Sequence, residues 1–314
     1  MNPSPRVPAK AGTHSSALQE PLASISIGAF PDAAEAAEPW VPAFAGMTNY
    51  VSAPLSPALA VKIVGIDISR PLSADDKDAI WRAFLAHHVV VFPHQSLTRE
   101  QQFDFAAHFG EVEAPEARRA NGKRHGVAHV MANLDTNGNP TVRYSPAANY
   151  HWHTDKPYQG APPILTTLYA VEAPPSGGDT EFANTALAYD ALPEETKRRI
   201  ARLRVVFRPA FDVSQPEVDH PLVRTHPETG RKALYLGNHS TKILGMPEPE
   251  GRALLRELLD RATQQQFNYR HRWQVGDLVM WDNRCLVHRA VLDSDTGKYR
   301  RVMHRSLVKG TAPV

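Results

Sequence analysis

The chain has one cysteine, Cys285, in 314 residues. No disulfide can form within it, and that scarcity suits a reducing compartment, so the expected location is the cytoplasm. No apolar run approaches the roughly 18 residues that a membrane-spanning helix needs, which argues against a membrane partner. Excess charge is missing too: 35 Lys and Arg against 33 Asp and Glu leave a net +2. Nucleic-acid binding calls for a strong basic excess and a recognisable reading motif, and neither is found. What remains is an ordinary globular composition, 42% hydrophobic and 22% charged, in a chain long enough to bury a sizeable core. A small molecule is the expected partner, and a homo-oligomer is left open.

Sustained periodicity is absent from residues 1–50. They are rich in Pro, Ala and Ser and are expected to be a disordered leader. A signal peptide does not fit, since no basic start precedes an apolar stretch. Codons for residues 8–14, reverse-complemented and shifted by one base, permit Trp-Val-Pro-Ala-Phe-Ala-Gly, the sequence of residues 40–46. The leader therefore reads as a translated inverted repeat of DNA, with Met47 as the candidate natural start and the domain over 51–314.

Beyond it the pattern turns globular. "VKIVGIDI" predicts a strand, and Ser73 caps a helix carrying Ile80, Trp81, Phe84 and Leu85. "HVVVFP" predicts a buried strand, and Thr98 with Gln101 a capping box opening a helix that Gly110 closes. Residues 111–148 are polar and weakly periodic, an irregular stretch expected to be a lid. Further strands are expected in "ILTTLYAVEAP", "DLVMW", "CLVHRAV" and "YRRVMHRSLV", helices over 193–204 and 249–264, and a hairpin over 222–237 turning at Pro-Glu-Thr-Gly. Scattered strands with helices in front and between predict an α+β domain around a sheet sandwich or barrel.

Chemistry concentrates in "ANYHWHTDKPY", residues 148–158. In an extended segment residues two apart share a side, so His151, His153 and Asp155 face one way. A histidine and a carboxylate on one face make half a metal site, yet among 15 histidines any one is more often on the surface or satisfied in the core. In "YRRVMHR", Arg301, Met303 and Arg305 alternate onto one face, where guanidiniums need anionic partners or solvent. Upstream, His288 sits in an apolar strand. Two histidines and one carboxylate form the facial set that holds non-haem Fe(II) and leaves positions open. Zinc accepts the same donors, which keeps a zinc-dependent hydrolase as the alternative.

"WHTD", "PPSGGDTEFANT", "RTHPETGRKALYL" and "WDNRCLVH", in that order, resemble the TauD/TfdA family of taurine and 2,4-dichlorophenoxyacetate dioxygenases. The resemblance runs from "VKIVGIDISRPLS" to "RRVMHRSLV". It implies a double-stranded β-helix, or jelly roll, with flanking helices and a lid. It also implies Fe(II), 2-oxoglutarate and O₂, hydroxylation of a small anionic substrate (a sulfonate or carboxylate), and release of CO₂ and succinate. By that resemblance His153, Asp155 and His288 match the iron ligands, with no catalytic residue beyond the metal centre. Thr180 and Arg301 match the 2-oxoglutarate contacts, Asn149 and Arg305 substrate contacts, and His151 is a neighbour only. "FGEVEAPEARRANGKRHG" has no His or Tyr before His125, so the taurine contacts are missing. Lys156, with Arg118 and Arg119, would favour another anionic substrate. A non-catalytic jelly-roll binding protein is the other rival. Intact mass of the protein from its native source is expected to begin at Met47; a mature chain starting at Met1 would overturn the inverted-repeat reading.

Overall fold

In the strand Val89–Phe92 every residue is buried. Val90 and Phe92 join one apolar cluster, Val89 and Val91 another, as the two-residue period of a strand dictates. Next to it, Leu278 and Met280 alternate with Val279 and Trp281 in the same way. A sheet covered on both faces has continuous apolar strands, which explains the solid run in "HVVVFP". The computed structural model describes residues 51–113, 116–118, 124–141, 147–209, 212, 214–291 and 297–314. The expected leader and Met47 lie outside them.

Both strands belong to an eight-stranded sheet. Its order is Val51–Pro54, Val61–Val64, Val89–Phe92, Leu278–Asp282, Leu165–Glu172, Val302–Val308 and Val112–Glu113, with His129–Ala132 also paired to Val302–Val308. Helix Ala74–His87, capped by the Ser73 hydroxyl, covers one face with Ile80 and Phe84. Helix Arg99–Ala107, opened by the Thr98–Gln101 capping box, adds Phe105. The other face meets a three-stranded sheet with Thr180–Asn184 between Asn268–His271 and Leu286–Ala290. Phe182 and Leu286 pack there against Leu168, Ala170, Val279, Trp281 and Met303. Two sheets closed on a shared core, with helices outside, give an α+β jelly roll. A further cluster forms around helix Glu248–Ala262, whose Leu254, Leu255 and Leu258 pack on Val205, Phe207 and Ile243. No described helix is long and apolar enough to cross a membrane.

Several expected boundaries shift for local reasons. The strand expected in "VKIVGIDI" stops at Val64 because Gly65, at φ +95°, turns the chain. The second helix ends at Ala107 with His108 as its cap, ahead of Gly110. The other expected helices span Glu194–Ile200 and Glu248–Ala262. The hairpin pairs Val223–Thr225 with Lys232–Leu234. Within 111–148 the irregular stretch is corrected: its described residues include the strands Val112–Glu113, Glu116–Arg118, Arg124–Gly126 and His129–Ala132. Strands this short are too brief to display a period.

A buried ionic cluster ties the hairpin to the jelly roll. Asp282, fully buried, accepts from Arg284 Nε at 2.8 Å, Arg284 Nη2 at 2.8 Å and His226 Nε2 at 2.9 Å. Arg284 also donates to Glu228 at the hairpin turn, at 2.6 Å. Burial alone would raise the Asp282 carboxyl, but Arg284 and His226 hold it well below the usual carboxylate range. Removing one member of such a cluster leaves an uncompensated buried charge. Asp282→Ala is therefore expected to destabilise the fold by about 3–5 kcal/mol in urea unfolding, and an unchanged midpoint would contradict the account.

Candidate metal centre

His153 and His288 are joined as an antiparallel bridge. His153 N donates to His288 O at 2.9 Å and His288 N donates to His153 O at 2.7 Å. Residues so paired project their side chains to the same side, and the imidazole centroids lie 4.3 Å apart. Asp155 follows two positions after His153 and shares its side. One donor atom from each of His153, Asp155 and His288 lies within 4.8 Å of the others, and all three residues are buried. Two imidazoles and a carboxylate can hold one divalent cation.

Hydrogen bonds orient the donors. His153 Nδ1 lies 2.8 Å from the His151 carbonyl and donates to it, which leaves Nε2 as the basic nitrogen. His151 thus enters through its main chain, while its own ring is exposed. Asp155 Oδ2 accepts from the Thr166 hydroxyl at 2.6 Å, and Arg305 Nη1 stands 3.8 Å from Oδ1. Burial would raise the Asp155 carboxyl, but His288, Arg305, His153 and the Thr166 hydroxyl together hold it below its ordinary value. Burial lowers both histidines, and with the nearby charge of His153 it takes His288 down to about 3. The three candidate donors at neutral pH are therefore two neutral rings and one anion. Gly237 backs it from behind: a Cβ there would lie 3.1 Å from His153 Cα.

The three residues open onto a cleft lined also by Asn149, Thr180, Arg301, Arg305, Met131, Leu168, Trp281 and Ala290. Arg301 is buried, its Nε donating to Gly178 O at 3.3 Å and its guanidinium 6.0 Å from the Trp273 ring. Thr180 Oγ1 accepts from Trp273 Nε1 at 3.0 Å. An indole can only donate, so the Thr180 proton stays available for an acceptor in the cleft. Lys156 is placed differently from the expectation. Its φ is +48°, its ammonium pairs with Glu113, and it is not among the lining residues. Arg119 and the side chain of Arg118 lie outside the described residues.

Residues 52–307 match the family of taurine catabolism dioxygenases, TauD/TfdA. The chain belongs to that family. It is 38% identical over 263 residues to the α-ketoglutarate-dependent 2,4-dichlorophenoxyacetate dioxygenase of Cupriavidus pinatubonensis, covering 77% of this chain and 92% of that one. It is 34% identical over 284 residues to the (S)-phenoxypropionate/α-ketoglutarate dioxygenase of Sphingobium herbicidovorans, covering 82% and 94%. Among solved structures it is similar to AAD-2 in complex with Mn(II) and N-oxalylglycine, with TM-score 0.74 and 35% identity over 85% of this chain and 98% of the other. As a TauD/TfdA member the protein is an α-ketoglutarate-dependent dioxygenase, an oxidoreductase, and the zinc hydrolase and non-catalytic readings fall away.

Several cleft residues of this TauD/TfdA enzyme escaped sequence reasoning. Leu168 is the cross-strand partner of Arg305, and Met131 that of Met303; neither pairing shows in one sequence. Thr166 and Trp273, which hold Asp155 and Thr180, carry no motif of their own. The buried histidines also make a testable statement about acid. Burial pushes His88 and His239 down to about 4 and contributes most to the low His288 value. Between about pH 6.5 and pH 4 the unfolded chain takes protons that the fold refuses, so stability falls as pH falls through that window. Urea midpoints of metal-free protein are expected to drop from pH 7 to pH 5. His88→Asn, tolerated at φ +60°, should make that slope shallower; a flat wild-type profile would contradict it.

Proposed function

We propose that this enzyme uses Fe(II), 2-oxoglutarate and O₂ to hydroxylate a small carboxylate borne on an apolar, ring-sized body, of the aryloxyalkanoate kind. The observation that carries it is one cleft bounded by His153, Asp155 and His288, by Arg301 just before the strand Val302–Val308 and Arg305 within it, and by the apolar side chains of Met131, Leu168 and Trp281. His153, Asp155 and His288 would hold the metal, and three protein donors leave the open positions that such chemistry requires. When bound, the iron supplies O₂ activation coupled to oxidative decarboxylation of 2-oxoglutarate to succinate and CO₂. The buried donors fit it, being neutral imidazoles and an ionised carboxylate at neutral pH.

The chain's own residues then divide the two anions. Arg301 is the partner for the far carboxylate of 2-oxoglutarate, because a guanidinium forks onto a carboxylate with two parallel bonds. Thr180 donates its spare proton to the near one. Arg305 receives the substrate's acidic group, with Asn149 beside it, and the apolar wall takes the ring. Lys156, occupied by Glu113, sets local charge without touching substrate. Hydroxylation of a carbon that bears an ether oxygen gives a hemiacetal, which breaks into an alcohol and a carbonyl compound. A cytoplasmic setting suits the lone Cys285, which is buried.

Succinate release across phenoxyacetates, phenoxypropionates, alkyl sulfonates and sulfate esters tests this reading. Aryloxyalkanoates are expected to give the fastest Fe(II)-dependent release. His153→Ala and Asp155→Ala should abolish it, Arg301→Ala should raise KM for 2-oxoglutarate, and Arg305→Ala should raise KM for the acid. Turnover like wild type in either ligand variant would sink the metal assignment; preference for sulfonates would redirect the substrate.

A further inference from the structure

The hydroxyl that holds the Asp155 carboxylate is the last member of a chain of three buried side chains. Trp281 Nε1 donates to Asn283 Oδ1 at 3.1 Å, Asn283 Nδ2 donates to Thr166 Oγ1 at 2.8 Å, and Thr166 donates to Asp155 Oδ2 at 2.6 Å. None of the three is more than 2% exposed. The direction of the chain follows from its first member. An indole nitrogen has a proton and no lone pair to offer, so the atom of Asn283 facing it must be the amide oxygen. The amide nitrogen is thereby turned to Thr166 and donates there. A hydroxyl has one proton, and Thr166 has only the carboxylate left to give it to.

Asn283 also grips the neighbouring backbone. Its carbonyl accepts from Thr154 Oγ1 at 2.9 Å, its N–H donates to Ile164 O at 2.9 Å, and its Oδ1 lies 3.4 Å from Asp155 N. It therefore binds the residue before the carboxylate and the carboxylate residue itself, from the turn that leads into the His288 strand. Trp281 meanwhile lays its ring 4.9 Å from that of His288. One indole thus touches the second histidine with its ring and reaches the carboxylate through its N–H.

We propose that Trp281, Asn283 and Thr166 form a one-way hydrogen-bond relay that holds Asp155 in its metal-ligating orientation, with Thr166 and Asn283 as positioning residues. The inference rests on the reading of His153, Asp155 and His288 as the metal site. A relay of this kind acts on the metal more than on the fold. Partners that orient ligating groups typically change metal affinity or activity by about 10–100-fold when removed.

The test uses full-length protein and Mn(II) alone, with affinity read by calorimetry and the metal-free melting temperature read in parallel. Thr166→Val keeps the shape and removes the hydroxyl; it is expected to weaken Mn(II) binding about 10–100-fold while the metal-free protein stays folded at assay temperature. Thr166→Ser restores the hydroxyl without the methyl group and should return affinity toward wild type. Trp281→Phe keeps the ring against His288 and removes the N–H, so it should weaken binding even if Thr166→Val fails to fold. Thr166→Val or Trp281→Phe binding as tightly as wild type would overturn the relay. So would Thr166→Ser failing as badly as Thr166→Val, since packing would then be the cause. If Asp155→Ala itself binds Mn(II) like wild type, it is the metal reading that fails, and the two failures are told apart.

Discussion

Two main-chain hydrogen bonds between His153 and His288 are the constraint on which the centre depends. They bring together residues from distant parts of the chain and force both imidazoles to one side. With that register set, Asp155 needs only the two-residue period of extended chain to join them. Each flank is then secured by different means. Gly237 permits backbone to approach His153 closely, and the small sheet fixes His288 through its pairing with Phe182. A register shift of one residue would turn His288 to the far side of its strand.

Charge is arranged around the centre by the same economy of position. Val302–Val308 runs through the interior of the large sheet, so the arginine just before its start and the one within it, Arg301 and Arg305, flank the inward Met303 and line one cleft. The Asp155 anion answers one of these cations while Glu113 answers Lys156. The remaining positive character faces the cleft, in a chain whose overall charge is only +2. The ionic cluster of Asp282, Arg284, His226 and Glu228 stands apart from this. It braces the turn from which Asn283 reaches the ligand segment.

Much of this was legible in one sequence. Alternation put His153 with Asp155 and Arg301 with Arg305, capping residues located two helices, and solid apolar runs marked strands buried on both faces. The residues that escaped did so for a common reason: their roles depend on which strand lies next to which. Leu168 becomes a cleft wall only because it pairs with Arg305, and Thr166 becomes an orienting donor only because its strand runs beside Asp155. Lys156 illustrates the reverse case. Its charge was visible beside Asp155, but Glu113, which pairs with it, comes from the insertion where short strands left no pattern.

The bridge has a consequence for the order in which the protein is made. His153 and Asp155 leave the ribosome long before their partner His288, and Val302–Val308, which carries Arg305, emerges later than all three. A growing chain therefore lacks the Arg305 wall of the cleft until Val302–Val308 slots into the sheet beside Leu165–Glu172.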